Sequence, residues 1–302
     1  RLNNERQKRE LIINQHKKSL SHMKLTPKDL SFIGSTLYWA EGGKSDKSRM
    51  FKLASFDTRI LAFHTVNPKY FEKQMEHLVK NYDVVPLTKI FSNNKNAVAL
   101  TFDDGYKNNI EYAYPILKKY NVPATVFIIY DFIDSNTFAW WDRLEFSGKN
   151  ADFKKLKNMH PDEIEREIYK LTGLRKNDKK PAKYNFMNWN EISKIMDVFE
   201  IGSHTITHSI LTNILLDEAK KEIFGSKKKI GEKLGKKVTS FAYPNGNYNE
   251  DLTKLVSEAG YNYAVIYEKG KNTEANRYAL HRRGINVNDD LAIFATKVAG
   301  VF

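Results

Sequence analysis

From residue 59 onward the chain alternates short apolar runs with longer amphipathic segments, and this rhythm restricts the fold more than any other feature. "RILAFHTV" (59–66) reads as a buried strand. "PKYFEKQMEHLVKNY" (68–82) follows as a helix with Phe71, Met75, Leu78 and Val79 on one face. "VVPL" begins a short strand or turn, and "AVALTF" (97–102) is the next strand. "NNIEYAYPILKKYN" (108–121) carries Ile110, Ala113, Ile116 and Leu117 at helical spacing, with Pro115 predicting a kink or a late start. "VPATVFII" (122–129) is apolar throughout, as a strand covered on both faces must be. Strand, helix and strand joined by short connections predict an α/β domain.

Residues 130 to about 190 break the rhythm and read as an insertion over the alternating scaffold. Within it "TFAWWDRLEF" is aromatic-rich, and a charged helix (160–173) starts near Pro161. A helix over 188–197, capped by Asn188 or Asn190, leads back to a strand, "FEIGSH" (199–204). A long basic helix (215–235), a strand (238–244), a helix (249–260), a strand (261–267), a strand that becomes a loop (277–287) and a last helix (288–300) complete the series. Residues 1–30 are polar and basic, and residues 1–58 are read as an extension packed on the domain 59–302, with "ELIINQHKKSL" as a short amphipathic helix.

Charge and composition narrow the function classes. Lys and Arg number 49 against 36 acids, a formal charge of +13. That balance suits an anionic partner such as an envelope surface, and equally a lysine-rich solvated face. The lysines do not interleave with aromatics as a stacking platform does, and no helix-turn-helix, zinc-finger or RRM pattern appears, so nucleic acid is not expected as a partner. The absence of cysteine excludes disulfides and thiolate metal sites. No apolar run approaches the roughly 18–20 residues of a membrane span. The cell envelope or the extracellular face is the expected location, reached through an N-terminal segment outside this chain.

Three polar segments each follow a strand. They are Asp103–Asp104, His204 through His208, and Tyr243–Asn245. In α/β folds the C-terminal ends of the strands carry the chemistry. Adjacent carboxylates at the end of a buried strand raise each other's cost of ionisation, so a pair asks for a cation or a proton to move. "SHTITH" spaces two histidines at i and i+4, which a helical turn would bring to one face. Two imidazoles and one carboxylate form a common set for zinc or another divalent ion, with positions left for water and substrate. Asp104 is the expected third ligand, leaving Asp103 free to take a proton from the water.

"TFDDG" (101–105), "SHTITH" (203–208) and "FAYPNG" (241–246), in that order, resemble the polysaccharide deacetylase family, known by its NodB homology domain and as carbohydrate esterase family 4. The resemblance covers roughly residues 59–300, and "FAWWDRL" is similar to the insertion of a branch associated with bacterial surface polysaccharides. It implies a distorted (β/α)7 barrel and a metal-dependent N-deacetylase of N-acetylated oligo- or polysaccharides. Zinc is the implied ion, with cobalt or nickel as alternatives. Asp103 is then the general base, and Asp104, His204 and His208 hold the metal. The backbone N–H of Asn245 serves the oxyanion. Many members carry an arginine two places before the proline of the third motif, where this chain has Ala242. Arg282 is the candidate substitute, with His281 beside it as general acid. His64, Tyr243, Pro244 and Trp141 are assigned to substrate binding. The fourth motif's tryptophan has no counterpart near "YNYAVIYEKG". An inactive glycan-binding or assembly protein on the same fold is the alternative reading.

Overall fold

The computed structural model describes residues 59–92, 96–268 and 270–300. The expected extension over 1–58 lies outside them. The chain divides into two compact units, Ser55–Val298 and the remainder, and the sheet and the candidate site belong to the first.

The β/α alternation gives a parallel sheet. Its strands are β1 (Arg59–Phe63), β2 (Asp83–Val84), β3 (Ala97–Phe102), β4 (Ala124–Ile128), β5 (Phe199–Ser203), β6 (Ser240–Ala242), β7 (Tyr263–Ile266), β8 (Leu280–His281) and β9 (Arg283–Gly284). They run β8-β7-β6-β5-β4-β3-β1-β9, with β2 added alongside β3, and every pairing is parallel. The two ends of this order are consecutive in sequence. β8 pairs with β7, β9 pairs with β1, and Arg282 alone separates them. The curled sheet is therefore nearly closed at one residue, a distorted (β/α) barrel of the NodB type.

Helices flank the sheet: α1 (Pro68–Asn81), α2 (Tyr114–Lys119), α3 (Trp140–Ser147), α4 (Phe153–Leu156), α5 (Pro161–Thr172), α6 (Trp189–Ile195), α7 (Leu216–Leu234), α8 (Glu250–Glu258) and α9 (Leu291–Ala299). The region between β4 and β5 holds α3 to α6. Asn188, rather than Asn190, caps α6, its side chain accepting from the Glu191 N–H. Ahead of α2 the backbone makes a π-turn over Asn109–Ala113, in which Tyr114 donates to the carbonyl of Asn109, five residues back. Pro115 has no N–H for the carbonyl four residues back, and the wider turn precedes it.

Strand parity divides the core. Leu61, Phe63, Val98, Leu100, Phe102, Val126 and Ile128 face the helices. Ile60, Ala97, Ala99, Phe127, Ala242, Val265 and Leu280 form a separate inner cluster. Side chains two apart share a face. Thr101 and Asp103 thus continue the inner row of Ala97 and Ala99, and Arg282 continues that of Leu280. Gly202 leaves room for Phe127 inside, since a Cβ there would lie 2.4 Å from the ring.

Candidate metal centre

The site opens where β3 ends. Asp103 is 2% exposed, and its backbone N–H still donates to the Phe63 carbonyl at 2.9 Å. Asp104 then turns into the left-handed region (φ 72), which short polar side chains tolerate. That turn separates the two carboxylates. Asp103 faces Arg282, while Asp104 faces the histidines.

Arg282 grips Asp103 with a two-pronged fork, Nη1 to Oδ1 and Nη2 to Oδ2, both 2.7 Å. The same guanidinium donates to Thr101 Oγ1 (3.1 Å) and to the Ile266 carbonyl (3.2 Å). Both partners of the ion pair are almost fully buried. Burial alone would raise the Asp103 pKa. The Arg282 charge and its hydrogen bonds outweigh it and hold the carboxyl well below the usual range.

Asp104 has no such partner. Its Oδ1 is buried without a hydrogen bond, and it lies 3.6 Å from His204 Nε2 and 3.7 Å from His208 Nε2. Burial first, then the charges of Asp103 and Asp142, push its pKa well up. The imidazoles are driven the other way. Burial lowers His204 to about 4 and His208 well below its ordinary value, so both are neutral at pH 7 and keep a lone pair for a metal. His204 Nδ1 lies 2.8 Å from the Ala242 carbonyl, a bond that requires the Nδ1–H tautomer and leaves Nε2 as the donor to an ion.

The three ligand atoms lie within 4.8 Å of one another. An orphaned carboxylate oxygen facing two neutral imidazole nitrogens fits a divalent cation, which would remove the cost of the buried Asp104 charge. The paired acids thus have two different partners available: a guanidinium for Asp103 and a metal for Asp104.

The histidine spacing works for a different reason from the one expected. Residues 204–208 are not a helical turn: Thr205 (φ 69) and His208 (φ 64) are left-handed. The rings still meet at 4.7 Å between centroids. Glu222 of α7 braces this loop by accepting from the N–H groups of Ile206 (2.7 Å) and Thr207 (3.0 Å). Four of the six described non-glycine residues with positive φ, Asp104, Thr205, His208 and Asn245, belong to the site. A β-branched threonine there is strained, and such strain concentrates where geometry serves a site.

A cavity of about 280 Å³ opens over this cluster. It brings together His64, Asp103, Asp104, Trp141, His204, His208, Tyr243, Asn245 and Arg282 from the sequence reading. Asn245 reaches it from a turn at φ 59. Tyr243 is fully buried, and its hydroxyl donates to the Tyr278 carbonyl at 3.0 Å, so it presents ring rather than hydroxyl. Pro244 is buried in the same turn and does not line the cavity.

His281, expected as general acid, is also absent from the lining. Strand parity is the reason. Arg282 points inward, so its neighbour points outward, and the imidazole packs so close to Gly270 that a Cβ there would lie 2.4 Å from it. His64, exposed at the end of β1, has its ring 6.0 Å from that of Tyr267 on the cavity wall. Trp140, beside Trp141 in the aromatic-rich segment, also lines the cavity, as do Tyr267, Phe153 and Lys157, for which the sequence suggests no role. Of these only Tyr267 carries a positional signal, standing just after β7 and two residues beyond the inward Val265.

Among the described residues no helix is long and apolar enough to cross a membrane. A profile of the family described as Polysaccharide deacetylase matches residues 92–264, more than half of the chain. The poly-beta-1,6-N-acetyl-D-glucosamine N-deacetylase of Staphylococcus aureus (strain MSSA476) is 26% identical over 264 residues, covering 86% of this chain and 75% of that protein. YxkH of Bacillus subtilis (strain 168) is 28% identical over 240 residues, covering 74% and 69%. In fold, the Streptococcus pyogenes deacetylase PplD in complex with acetate aligns with a TM-score of 0.59 at 21% identity, over 81% of this chain and 99% of that one. IcaB from Ammonifex degensii aligns equally well, TM-score 0.59 at 15% identity, over 81% and 97%.

Proposed function

The chain belongs to the polysaccharide deacetylase family, and from that premise we propose that it is a metal-dependent hydrolase removing N-acetyl groups from N-acetylhexosamine units of a bacterial cell-surface or lipid-linked glycan. The observation that carries this reading is the Asp104–His204–His208 cluster beside an ionised, arginine-held Asp103 in one cavity. The activity in the name of the Staphylococcus aureus relative supports an N-acetylglucosamine polymer as the substrate class.

Zinc is the expected ion, because two imidazoles and a carboxylate are among its common ligand sets. Bound there, it supplies Lewis-acid activation of water and of the acyl oxygen. Asp103 accepts the proton that the attacking water gives up. Its low pKa keeps it ionised at neutral pH, and the Arg282 fork fixes which lone pair faces the cavity. Arg282 thereby takes the place of the guanidinium expected at position 242. The Asn245 N–H, offered from its left-handed turn, supports the oxyanion as the carbonyl becomes tetrahedral. The C–N bond then breaks, acetate departs, and His64 at the rim protonates the leaving amine. The cavity, at about 280 Å³, is small for a ligand site and suits one sugar unit with its acyl arm.

Metal-loaded protein is expected to release acetate from β-1,6-linked N-acetylglucosamine oligomers, with product masses one acetyl group lower and the reaction abolished by chelation. His64→Gln should cut kcat by about 10²-fold with metal content unchanged. Absence of acetate release from every N-acetylhexosamine oligomer tried would refute the activity. A His64→Gln enzyme turning over at the wild-type rate would remove that residue from its role.

A further inference from the structure

The two histidines of the cluster are held by different means. His204 is oriented by its hydrogen bond to the Ala242 carbonyl. His208 has no equivalent: its Nδ1 is buried without a hydrogen-bond partner among the described residues. An imidazole so placed is free to rotate about its χ2 unless packing stops it. The packing comes from Trp141, whose ring centroid lies 4.6 Å from that of His208 at an interplanar angle of 56°.

Trp141 is itself fixed by a short polar chain. Its Nε1–H donates to Tyr106 Oη at 2.7 Å. The Tyr106 hydroxyl in turn donates to the Asp142 carboxylate, 3.0 Å from each oxygen. Tyr106 and Asp142 are 5% and 4% exposed, so water competes little with either bond. Tyr106 follows directly on the Asp103–Asp104–Gly105 turn, and its ring stacks on Phe186 at 4.8 Å. Trp141 and Asp142 come from the first turn of α3 in the insertion. The chain thus ties the insertion to the loop that carries the metal-facing carboxylate, and the indole closes the link on the metal-facing imidazole.

We propose that Trp141, anchored through Tyr106 to Asp142, is the positioning residue for His208, fixing by ring contact the ligand geometry that a hydrogen bond fixes for His204. The insertion is then part of the metal centre's support. The inference rests on the metal reading of Asp104, His204 and His208.

The test is cobalt binding by the purified, metal-stripped full chain, read as affinity by competition with a chromogenic chelator and as the visible spectrum of the bound Co²⁺. Trp141→Ala should weaken binding by at least about 10-fold, the effect usual for losing such outer support, and should alter the spectrum. Trp141→Phe keeps a ring but loses the N–H, and should recover part of the affinity. Tyr106→Phe should weaken binding like Trp141→Phe, and the double variant little further, since both cut the bond from Trp141 to Tyr106 on which the anchor depends. Circular dichroism of each variant checks folding, and the two phenylalanine variants carry the test should the alanine variant not fold. Wild-type affinity and spectrum in Trp141→Phe and Tyr106→Phe, or in Trp141→Ala, would overturn the proposal. A His208→Ala protein binding cobalt as tightly as wild type would instead overturn the metal reading beneath it.

Discussion

Asp103→Asn is expected to retain its metal and to lose turnover by about 10³-fold, within the range of a lost general base. The ligands Asp104, His204 and His208 are untouched by the change, so metal content separates this effect from loss of the centre. The amide is close in shape to the carboxylate but accepts through one oxygen only. Its NH₂ faces a guanidinium nitrogen that now stands 2.7 Å from a carboxylate oxygen, so one hydrogen bond becomes a donor–donor contact. A buried Arg282 without its counter-charge costs stability, by up to about 3–5 kcal/mol for a broken buried pair. Thermal melting of the metal-loaded variant measures that part, and turnover per folded, metal-loaded molecule measures the catalytic part. A variant within tenfold of wild type would show that Asp103 is not the proton acceptor.

Arg282→Met attacks the same pair from the other side. The methionine fills much of the space and leaves the Asp103 carboxyl buried with neither charge nor hydrogen bond to hold it. Stability at pH 7 should fall by about 3–5 kcal/mol, and turnover by about 10²-fold or more. The pH dependence gives a sharper signature. In the native protein Asp103 is depressed below its unfolded value of 3.8, so its contribution is complete above that pH and is lost as the pH falls below it. Without the guanidinium, burial, the largest influence on this group, is opposed only by His204 and His64, and the carboxyl rises. The acidic limb of kcat/KM should therefore move to higher pH. The stability gap between the two proteins, from denaturant titrations, should be widest near neutrality and should shrink as the pH falls through the variant's raised Asp103 pKa, where the folded variant takes up a proton that the native protein does not. Arg282→Lys should recover little, because a point charge cannot reproduce the fork. An acidic limb that stays in place, with unchanged stability, would contradict the pairing.

The sequence disclosed the strands because their burial is continuous: "AVALTF" and "ATVFI" are covered on both sides, and no helix of that length needs so unbroken an apolar run. It disclosed Asp103 as the end of a buried strand, and the structure adds that it continues the inward row of Ala97, Ala99 and Thr101. The same parity, applied to Leu280 and Arg282, points His281 outward, and the adjacency of a histidine to that arginine concealed it. The spacing of His204 and His208 suggested a helical turn. The actual loop depends on left-handed residues and on Glu222 from a distant helix, contacts that no local period encodes. "RYALHRRGINV" reads as a strand that becomes a loop, yet it forms two short strands split at Arg282, because its two halves pair with opposite edges of the sheet. Such pairing is a property of the closed sheet and leaves no mark in a window of ten residues. The link from Asp142 through Tyr106 to Trp141 was hidden for the same reason, since it joins residues 35 and 36 positions apart.

One divalent ion between Asp104, His204 and His208, within proton-transfer reach of Asp103, is what the proposed chemistry requires. Anomalous diffraction from a crystal of zinc-loaded protein tests it most directly. A single strong peak per chain is expected, about 2.0–2.2 Å from an Asp104 oxygen and from the Nε2 atoms of His204 and His208. A fully loaded crystal with its peak elsewhere, or with any of those three side chains turned away from it, would contradict the account.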